Sequence, residues 1–403
     1  MRSQERVRKE SALYEVVCPA VYVSRAMGLA PYELTARGQA DGQARLAPSR
    51  LNCLYSLFWT SLYSYIVVTS LMRFAGSKRD KPVLGVTETG KLLLNYVVLL
   101  AELSLCVLRR AEFAGVWNAI QAFDEAYDIG LDNKGDRDRQ QQQQHHHHPL
   151  LRQAKHWLWL LLLGLVLAWV SVNQTGMYAF NESYLNNIGY MLTYVGTCVA
   201  VLKFCGMAAL LLQRFRYLNQ LLQAKLDTND SRSSGPEDYA RETEDVERIE
   251  TSYNYLLAIG ERLNEIYSLP LFLYLLNLFA HAVSNMYYFS IWTIIDRDYV
   301  SQPRVLLCLV AWLVVYFGQM CLIHIACHFV SAEANKMPIV LLDWRRRDIT
   351  SNEYRSTLHY LNRKMRFNAA GCFYVNLQLL TSTFGHLTTY LVILLQIPSE
   401  GSD

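Results

Sequence analysis

Seven long apolar stretches constrain this chain more than any other feature of its sequence. A helix of about 20 apolar residues is long enough to cross the hydrocarbon core of a bilayer. With 52% hydrophobic and 18% charged residues, the 403-residue chain is too apolar for an ordinary soluble protein of its length. We therefore predict an all-α membrane protein with seven transmembrane helices. The predicted spans lie near 51–73, 89–108, 156–173, 187–212, 268–295, 304–330 and 370–397.

The loops between the spans predict a cytoplasmic N-terminus and an extracellular C-terminus. Asn173 and Asn181 begin N-glycosylation sequons in the loop between spans three and four, and no Lys or Arg occurs from 171 to 190. The loops after spans two and six are rich in Lys and Arg, which favours the cytoplasmic side for both. The basic residues within 78–81, between spans one and two, argue against this orientation.

The segments outside the bilayer predict helical extensions and two disordered loops within a single seven-span domain. Helical periodicity in 111–131 and 241–267 predicts that spans two, four and five continue as helices on the cytoplasmic side. The composition of 134–152, with its Gln/His tract, and of 226–240 is typical of disordered loops. The domain, 1–403, comprises a cytoplasmic N-terminal segment (1–50), spans one to six with a ligand pocket and anchor helices (51–330), and a cytoplasmic segment with the last span (331–403).

The last apolar stretch carries polar residues at helical spacing. They follow one another at steps of three or four residues, which places them on one face of a helix. A polar face at membrane depth needs water or polar partners. Either several copies of the chain enclose a pore, or the stripe packs against another helix of the same subunit. The stripe comprises Gln378, Ser382, His386, Thr389, Ile393 and Gln396.

The end of this span also resembles a family signature. Thr389 and Tyr390 are followed by five aliphatic residues and Gln396. This run resembles the signature of insect gustatory receptors, which is Thr-Tyr, five hydrophobic residues, Gln and Phe. The chain departs from the signature at the last position, where Ile397 stands in place of Phe. The preceding residues, 371–376, are similar to the family's final span as well.

The resemblance implies a tastant-gated, non-selective cation channel in the plasma membrane of chemosensory neurons, including their dendrites. It implies four subunits around the last helix, as a homotetramer or as a heterotetramer with other gustatory receptor subunits. In related receptors this part of the final span forms the gate, so the resemblance implies Ile393 as the hydrophobic constriction and Gln396 as its polar neighbour. The pore and gate residues are then Ser382, His386, Thr389, Ile393, Gln396 and Ile397.

Polar and aromatic residues in the outer halves of four spans predict a ligand pocket. Aromatic walls with a few hydrogen-bonding groups suit a small-molecule site, although Tyr and Trp also gather at membrane interfaces without binding a ligand. The aromatic character favours bitter compounds over sugars as the tastant. The candidates are Asn95, Tyr96, Tyr190, Tyr194, His281, Asn285, Tyr288, Trp292, Trp312, Tyr316 and Gln319.

Two ionisable residues lie at membrane depth. Charge is costly there and is usually paired, so Glu102 and Lys203 are candidates for an ion pair with each other, either structural or part of a ligand site. His324 and His328 have the spacing of metal ligands but no clear carboxylate or thiolate partner in the sequence. We therefore predict packed or loop-facing histidines, with no metal and no cofactor.

Other classes of membrane protein fit the sequence less well. It contains no Gly-rich phosphate loop, nucleophile elbow or metalloprotease motif, so we expect no enzyme, and we expect no nucleic-acid partner. A G-protein-coupled receptor needs the opposite orientation, and a transporter should show internal repeats with broken helices. An odorant receptor of the related family shares the predicted topology and is the main alternative, although the Thr-Tyr-aliphatic-Gln run argues against it.

Overall fold

The computed structural model of the protein is mainly helical. It describes residues 12–35, 45–76, 82–127, 156, 159–160, 162–172, 174–175, 184–229, 236–291, 293, 303–345 and 362–396. The helices are α1 (Ala12–Ala26), α2 (Arg50–Gly76), α3 (Pro82–Leu108), α4 (Arg110–Ala126), α5 (Leu162–Val172), α6 (Tyr184–Asn229), α7 (Pro236–Ser290), α8 (Pro303–Ala334), α9 (Met337–Arg345) and α10 (Leu377–Gln396). Two antiparallel hairpins pair β1 (Tyr32–Thr35) with β2 (Arg45–Pro48) and β3 (Asn368–Ala369) with β4 (Phe373–Tyr374).

The helices confirm the predicted fold class. Within the described residues, six helices are long and apolar enough to cross a membrane, and the shorter apolar helix α5 lies where the third span is predicted. The predicted orientation remains a prediction, and its sequons at Asn173 and Asn181 lie outside the described residues. The six candidate spans are Arg50–Met72, Thr89–Leu108, Met191–Lys225, Glu244–Ser290, Pro303–Leu342 and Leu377–Gln396.

The chain forms two compact units. The first comprises Met1–Lys203, Phe272–Cys321 and Thr381–Asp403, and the second comprises Phe204–Leu271 and Leu322–Leu380. In the second unit, the buried ring of Phe204 lies 5.0 Å from that of Tyr267 and 5.7 Å from that of Phe367. The candidate functional residues discussed below belong to the first unit, apart from the first residues of α10.

The predicted helical extension of span two is wrong in one respect, because the helix does not continue unbroken. Arg109 has φ −98° and ψ 23°, which separates α3 from α4. Residues Phe113, Val116, Trp117 and Ile120 of α4 are all buried, because they recur at the spacing of one helical face. Spans four and five do continue as single helices, α6 and α7. These helices also extend into both ends of the range predicted as a loop, 226–240.

The N-terminal segment docks against α4. Asn118 pairs with the backbone of Leu46 in β2, accepting from its N–H at 2.9 Å and donating to its carbonyl at 3.0 Å. Arg45 and Glu125 form an ion pair at 2.9 Å. The turn after α1 requires glycine, since Gly28 has φ 77° and a Cβ there would lie 2.7 Å from the Cβ of Trp59. The described part of the segment predicted only as cytoplasmic, 12–35 and 45–50, is therefore packed against the helices.

The last span begins later than predicted. Residues 370–376 belong to the β3–β4 hairpin region, where Ala370 and Gly371 have φ 52° and 75° and cannot continue a regular helix. Helix α10 begins at Leu377, because the Asn376 side chain caps it by accepting a 2.8 Å hydrogen bond from the Leu379 N–H. The predicted start at residue 370 is wrong because apolar composition alone does not distinguish a hairpin from a helix.

Candidate functional site

Five aromatic rings from four helices form one cluster in the first unit. Trp169 on α5 lies 4.9 Å from Trp312 on α8, and Trp312 lies 5.0 Å from Tyr194 on α6. His281 on α7 contacts Tyr194 at 5.4 Å and stacks on Tyr316 at 4.7 Å, with 12° between the two rings. These spacings are typical of favourable aromatic contacts. The cluster, called the aromatic cluster below, joins spans three to six.

Amide and imidazole groups provide hydrogen-bonding capacity in the same unit. The Asn95 Oδ1 accepts from the Thr197 hydroxyl at 3.1 Å and from the Asn277 Nδ2 at 3.2 Å. His281 is 1% exposed, and its Nε2 has no hydrogen-bond partner among the described residues. A buried polar atom without a partner is costly. The His281 Nε2 is therefore a candidate to bind a ligand group or a water molecule.

A buried lysine lies near two of the predicted pocket residues. The Lys91 Nζ on α3 donates to the Asn285 Oδ1 at 3.4 Å and lies 5.3 Å from the centre of the Tyr288 ring. The Tyr288 hydroxyl also hydrogen-bonds Thr87. Spans two and five thus place a cationic group, an amide and a phenol together, a set that recognises hydrogen-bond acceptors and aromatic groups.

The structure brings together most, but not all, of the predicted ligand-binding residues. Tyr96 is half-buried, and its hydroxyl bonds that of Ser64 on span one at 2.7 Å. Gln319 is buried and donates to the Val315 carbonyl of its own helix at 3.4 Å. Trp292 and the side chain of Tyr190 lie outside the described part of the chain. The remaining seven candidates belong to the aromatic cluster or to the two polar groups just described.

Sequence reasoning missed Trp169, Lys91 and Asn277. Lys91 has the same signal that identified Glu102 and Lys203, which is an ionisable residue in an apolar stretch. Asn277 lies one helical turn before His281 on α7, so the period of that helix predicts the same face. Trp169 has no comparable signal, because one tryptophan in an apolar span is typical of packing.

The Glu102–Lys203 ion pair suggested by the sequence is present. The Lys203 Nζ lies 2.6 Å from the Glu102 Oε1, and it also donates to the Leu29 carbonyl at 3.3 Å and to the Cys106 Sγ at 3.0 Å. The second carboxylate oxygen of Glu102 accepts from the Tyr274 hydroxyl at 2.7 Å. The pair therefore connects spans two, four and five with the residue that follows Gly28.

Helix α10 packs on the rest of the chain through one side only. Leu387 is 1% exposed and is the buried residue of the helix. The Tyr390 ring contacts Phe279 at 5.8 Å, and the Phe384 ring contacts Phe317 at 5.5 Å. Tyr390, the second residue of the C-terminal signature, thus helps to hold the last span against span five.

The predicted polar stripe lies on exposed surface of α10. Ile393 is 49% exposed, and the other members of the stripe are exposed as well. Ile397 lies outside the described residues. A stripe of this kind is available to lipid, to water or to another copy of the chain. The exposed members are Gln378, Ser382, His386, Thr389, Ile393 and Gln396.

Comparison with known proteins identifies the family. The chain is similar to the insect olfactory receptor OR5 from Machilis hrabei, with a TM-score of 0.64, 13% identity, and coverage of 96% of this chain and 99% of that one. For the same receptor in complex with eugenol, the TM-score is 0.65 at 13% identity, and the coverage is 98% and 100%. A comparison with curated protein sequences gives no match. A family model described as 7tm Chemosensory receptor matches residues 17–399, so this multi-pass membrane protein belongs to the 7tm chemosensory receptor family.

Proposed function

We propose that the protein is a gustatory receptor subunit that forms a tastant-gated, non-selective cation channel in the plasma membrane of chemosensory neurons. One observation carries this proposal: the Thr389–Gln396 signature lies on a span that packs on its own subunit through one side and leaves a polar stripe exposed. A pore needs such a stripe enclosed by further copies. We propose four subunits, either identical or mixed with other gustatory receptor subunits.

The aromatic cluster and the adjoining polar groups support a ligand site in the outer part of the bundle. Trp312, Tyr316 and Tyr194 supply aromatic surface, while His281 and Asn95 supply hydrogen-bonding groups. Aromatic walls with few polar groups suit planar, apolar compounds better than sugars. We therefore propose a bitter compound as the tastant, bound in the outer halves of spans two to six.

Gating follows from a difference in affinity between two states. A ligand opens a channel only if it binds the open state more tightly than the closed state. In the closed state, Ile393 side chains from neighbouring subunits meet and exclude water from the axis. When the last spans move apart, Thr389 and Gln396 provide polar surface for a hydrated cation. No G protein takes part in this mechanism.

Recording currents from cells that express the chain tests the proposal. Cells should be exposed to separate panels of bitter alkaloids, sugars and volatile aromatic compounds. The gustatory proposal expects a reversible cation current with bitter compounds that persists in excised membrane patches without GTP. Silence should be followed by co-expression with a second gustatory receptor subunit. A metabotropic response that depends on GTP and lacks a direct current contradicts the channel proposal.

An odorant receptor is the second candidate function, because the described fold resembles OR5 over nearly its whole length. One of the two OR5 structures contains eugenol, a small aromatic compound. The same current recordings distinguish the candidates. A response confined to volatile compounds, with bitter compounds and sugars inactive, favours the odorant assignment over the gustatory one.

A further inference from the structure

A groove opens between helix α1 and the start of α2, apart from the sites described above. Its volume is about 700 Å³, and it lies open at the protein surface. Cavities of roughly 300–1,000 Å³ hold small organic ligands. The groove, called the N-terminal groove below, is lined by Tyr22, Arg25, Ala26, Leu51, Asn52, Leu54 and Tyr55.

One wall of the N-terminal groove is apolar and exposed at the end of a candidate span. Leu51 is 75% exposed and Leu54 is 64% exposed, and both lie in the first turns of the span Arg50–Met72. Leu57 and Phe58 continue the exposed apolar surface along the same helix. In a membrane, these side chains meet lipid at the depth where the hydrocarbon begins.

The other wall supplies positive charge. The Arg25 Nη2 donates to the Tyr32 carbonyl at 2.7 Å, while its Nε is shielded from solvent and has no hydrogen-bond partner within the described part of the chain. Arg50 is exposed at the first residue of the adjoining span. None of the seven residues that line the groove is acidic. Arg25 itself lines the groove, and a guanidinium group is a strong hydrogen-bond donor to phosphate oxygens.

We propose that the N-terminal groove binds an anionic phospholipid. The phosphate group contacts Arg25, and one acyl chain lies along Leu51, Leu54 and Tyr55. In the predicted orientation this end of span one faces the cytoplasmic leaflet, where anionic lipids are concentrated. The bound lipid bridges α1 and α2, so it stabilises the docking of the N-terminal helix on the first span. This proposal does not depend on which stimulus opens the channel.

Photocrosslinking in vesicles tests the proposal. The full-length protein is reconstituted in phosphatidylcholine vesicles with a few per cent of phosphatidylserine that carries a photoreactive acyl chain, and labelled peptides are mapped by mass spectrometry. We expect labelling of the peptides that contain residues 22–26 and 51–58. Excess unlabelled phosphatidylserine should compete, whereas phosphatidylcholine should not. Labelling spread evenly over the six candidate spans, or equal competition by phosphatidylcholine, overturns the proposal.

Two variants separate lipid binding from a defect in folding. Arg25→Gln removes the charge and should lower labelling about tenfold, as expected for the loss of a charge-assisted contact. Ala26→Phe leaves Arg25 in place but fills the groove, so it should lower labelling by steric exclusion of the lipid. Arg304→Gln and Ala111→Phe make the same changes at exposed positions outside the groove and should leave labelling unchanged. Unchanged labelling in a folded Ala26→Phe protein contradicts the proposal. Loss of labelling with inorganic phosphate alone indicates a free-anion site instead of a lipid site.

Discussion

At the scale of single residues, Glu102 brings a carboxylate to membrane depth and receives hydrogen bonds from Lys203 and Tyr274. A buried ion pair of this kind adds little net stability to the folded protein. Removing one partner is strongly destabilising, because it leaves the other charge buried and unpaired. The sequence predicted the pairing, because two opposite charges at membrane depth, in spans two and four, are costly unless they meet. The sequence did not predict that the Leu29 carbonyl and the Cys106 thiol contact Lys203. Neither residue is distinguished by its type or by its helical spacing from other apolar residues.

Removal of one partner of this pair should destabilise the protein strongly. Lys203→Met leaves the Glu102 charge buried without its ammonium partner, and we expect a loss of about 3–5 kcal/mol in the free energy of unfolding. The change is measured by thermal unfolding of the purified protein. The double variant Glu102→Gln with Lys203→Met should recover most of that loss, because it removes the remaining charge.

A matched ion pair on the surface provides the control for this prediction. Lys225 and Asp245 are paired with side chains that are about half exposed. Lys225→Met should therefore cost no more than about 1 kcal/mol. Equal losses for Lys203→Met and Lys225→Met contradict the assignment of a buried structural pair.

His281→Phe separates ligand binding from packing. The variant keeps an aromatic ring against Tyr316 but removes the Nε2, which has no hydrogen-bond partner among the described residues. We expect unchanged thermal stability and an approximately tenfold loss of sensitivity to the panel compound that opens the channel. His328→Phe, at a half-buried histidine of the second unit, should change neither property. An unchanged dose–response curve in His281→Phe removes the Nε2 from the ligand site.

At the scale of elements, α10 differs from the other spans in its exposure. Only 6% of the residues in its most apolar stretch are buried, compared with 67% for the span within α6. Its polar face could be predicted from a period of three to four residues, because that pattern is characteristic of a helix. The start of α10 could not be predicted from the same pattern. It depends on the Asn376 cap and on the left-handed backbone at Gly371, which the apolar composition of this stretch does not indicate.

Cysteine accessibility tests which face of α10 lines the pore. In a Cys372→Ser background, which removes an exposed native thiol, Ile393→Cys and Gln396→Cys should each make the current sensitive to a charged thiol reagent. Leu387→Cys should remain insensitive because that position is buried against the same subunit. Insensitivity at both 393 and 396 in a channel that conducts contradicts the proposed gate.

At the scale of the whole molecule, the family assignment and the candidate spans both indicate a multi-pass membrane protein. The orientation in the membrane is predicted from the composition of the loops. The apolar lengths and the positions of the long helices could be predicted from hydrophobicity alone. The packing of the N-terminal hairpin on α4 could not be predicted, because it depends on side chains such as Asn118 that meet partners far away in sequence.

Glycosylation mapping tests the orientation with a control inside the same chain. Asn173 and Asn181 should each carry a glycan. Asn173→Gln and Asn181→Gln should therefore each lower the apparent mass on a gel by the mass of one glycan. Asn229 also begins a sequon, with Asp230 and Ser231, in the loop predicted to be cytoplasmic. Asn229→Gln should leave mobility unchanged. A glycan at Asn229, with none at Asn173 or Asn181 in protein at the cell surface, shows that the orientation is the opposite of the predicted one.

The contact between Glu102 and Lys203 also fixes an order of events during synthesis. The two residues are 101 positions apart, so at about 5–20 residues per second the carboxylate of span two exists for roughly 5–20 s before its lysine partner is made. Through that interval an ionised Glu102 is costly in lipid, so we expect the second span to stay beside water or protein, or its carboxyl group to hold a proton, until span four arrives. The contact of Lys203 with the Leu29 carbonyl then forms after span four as well.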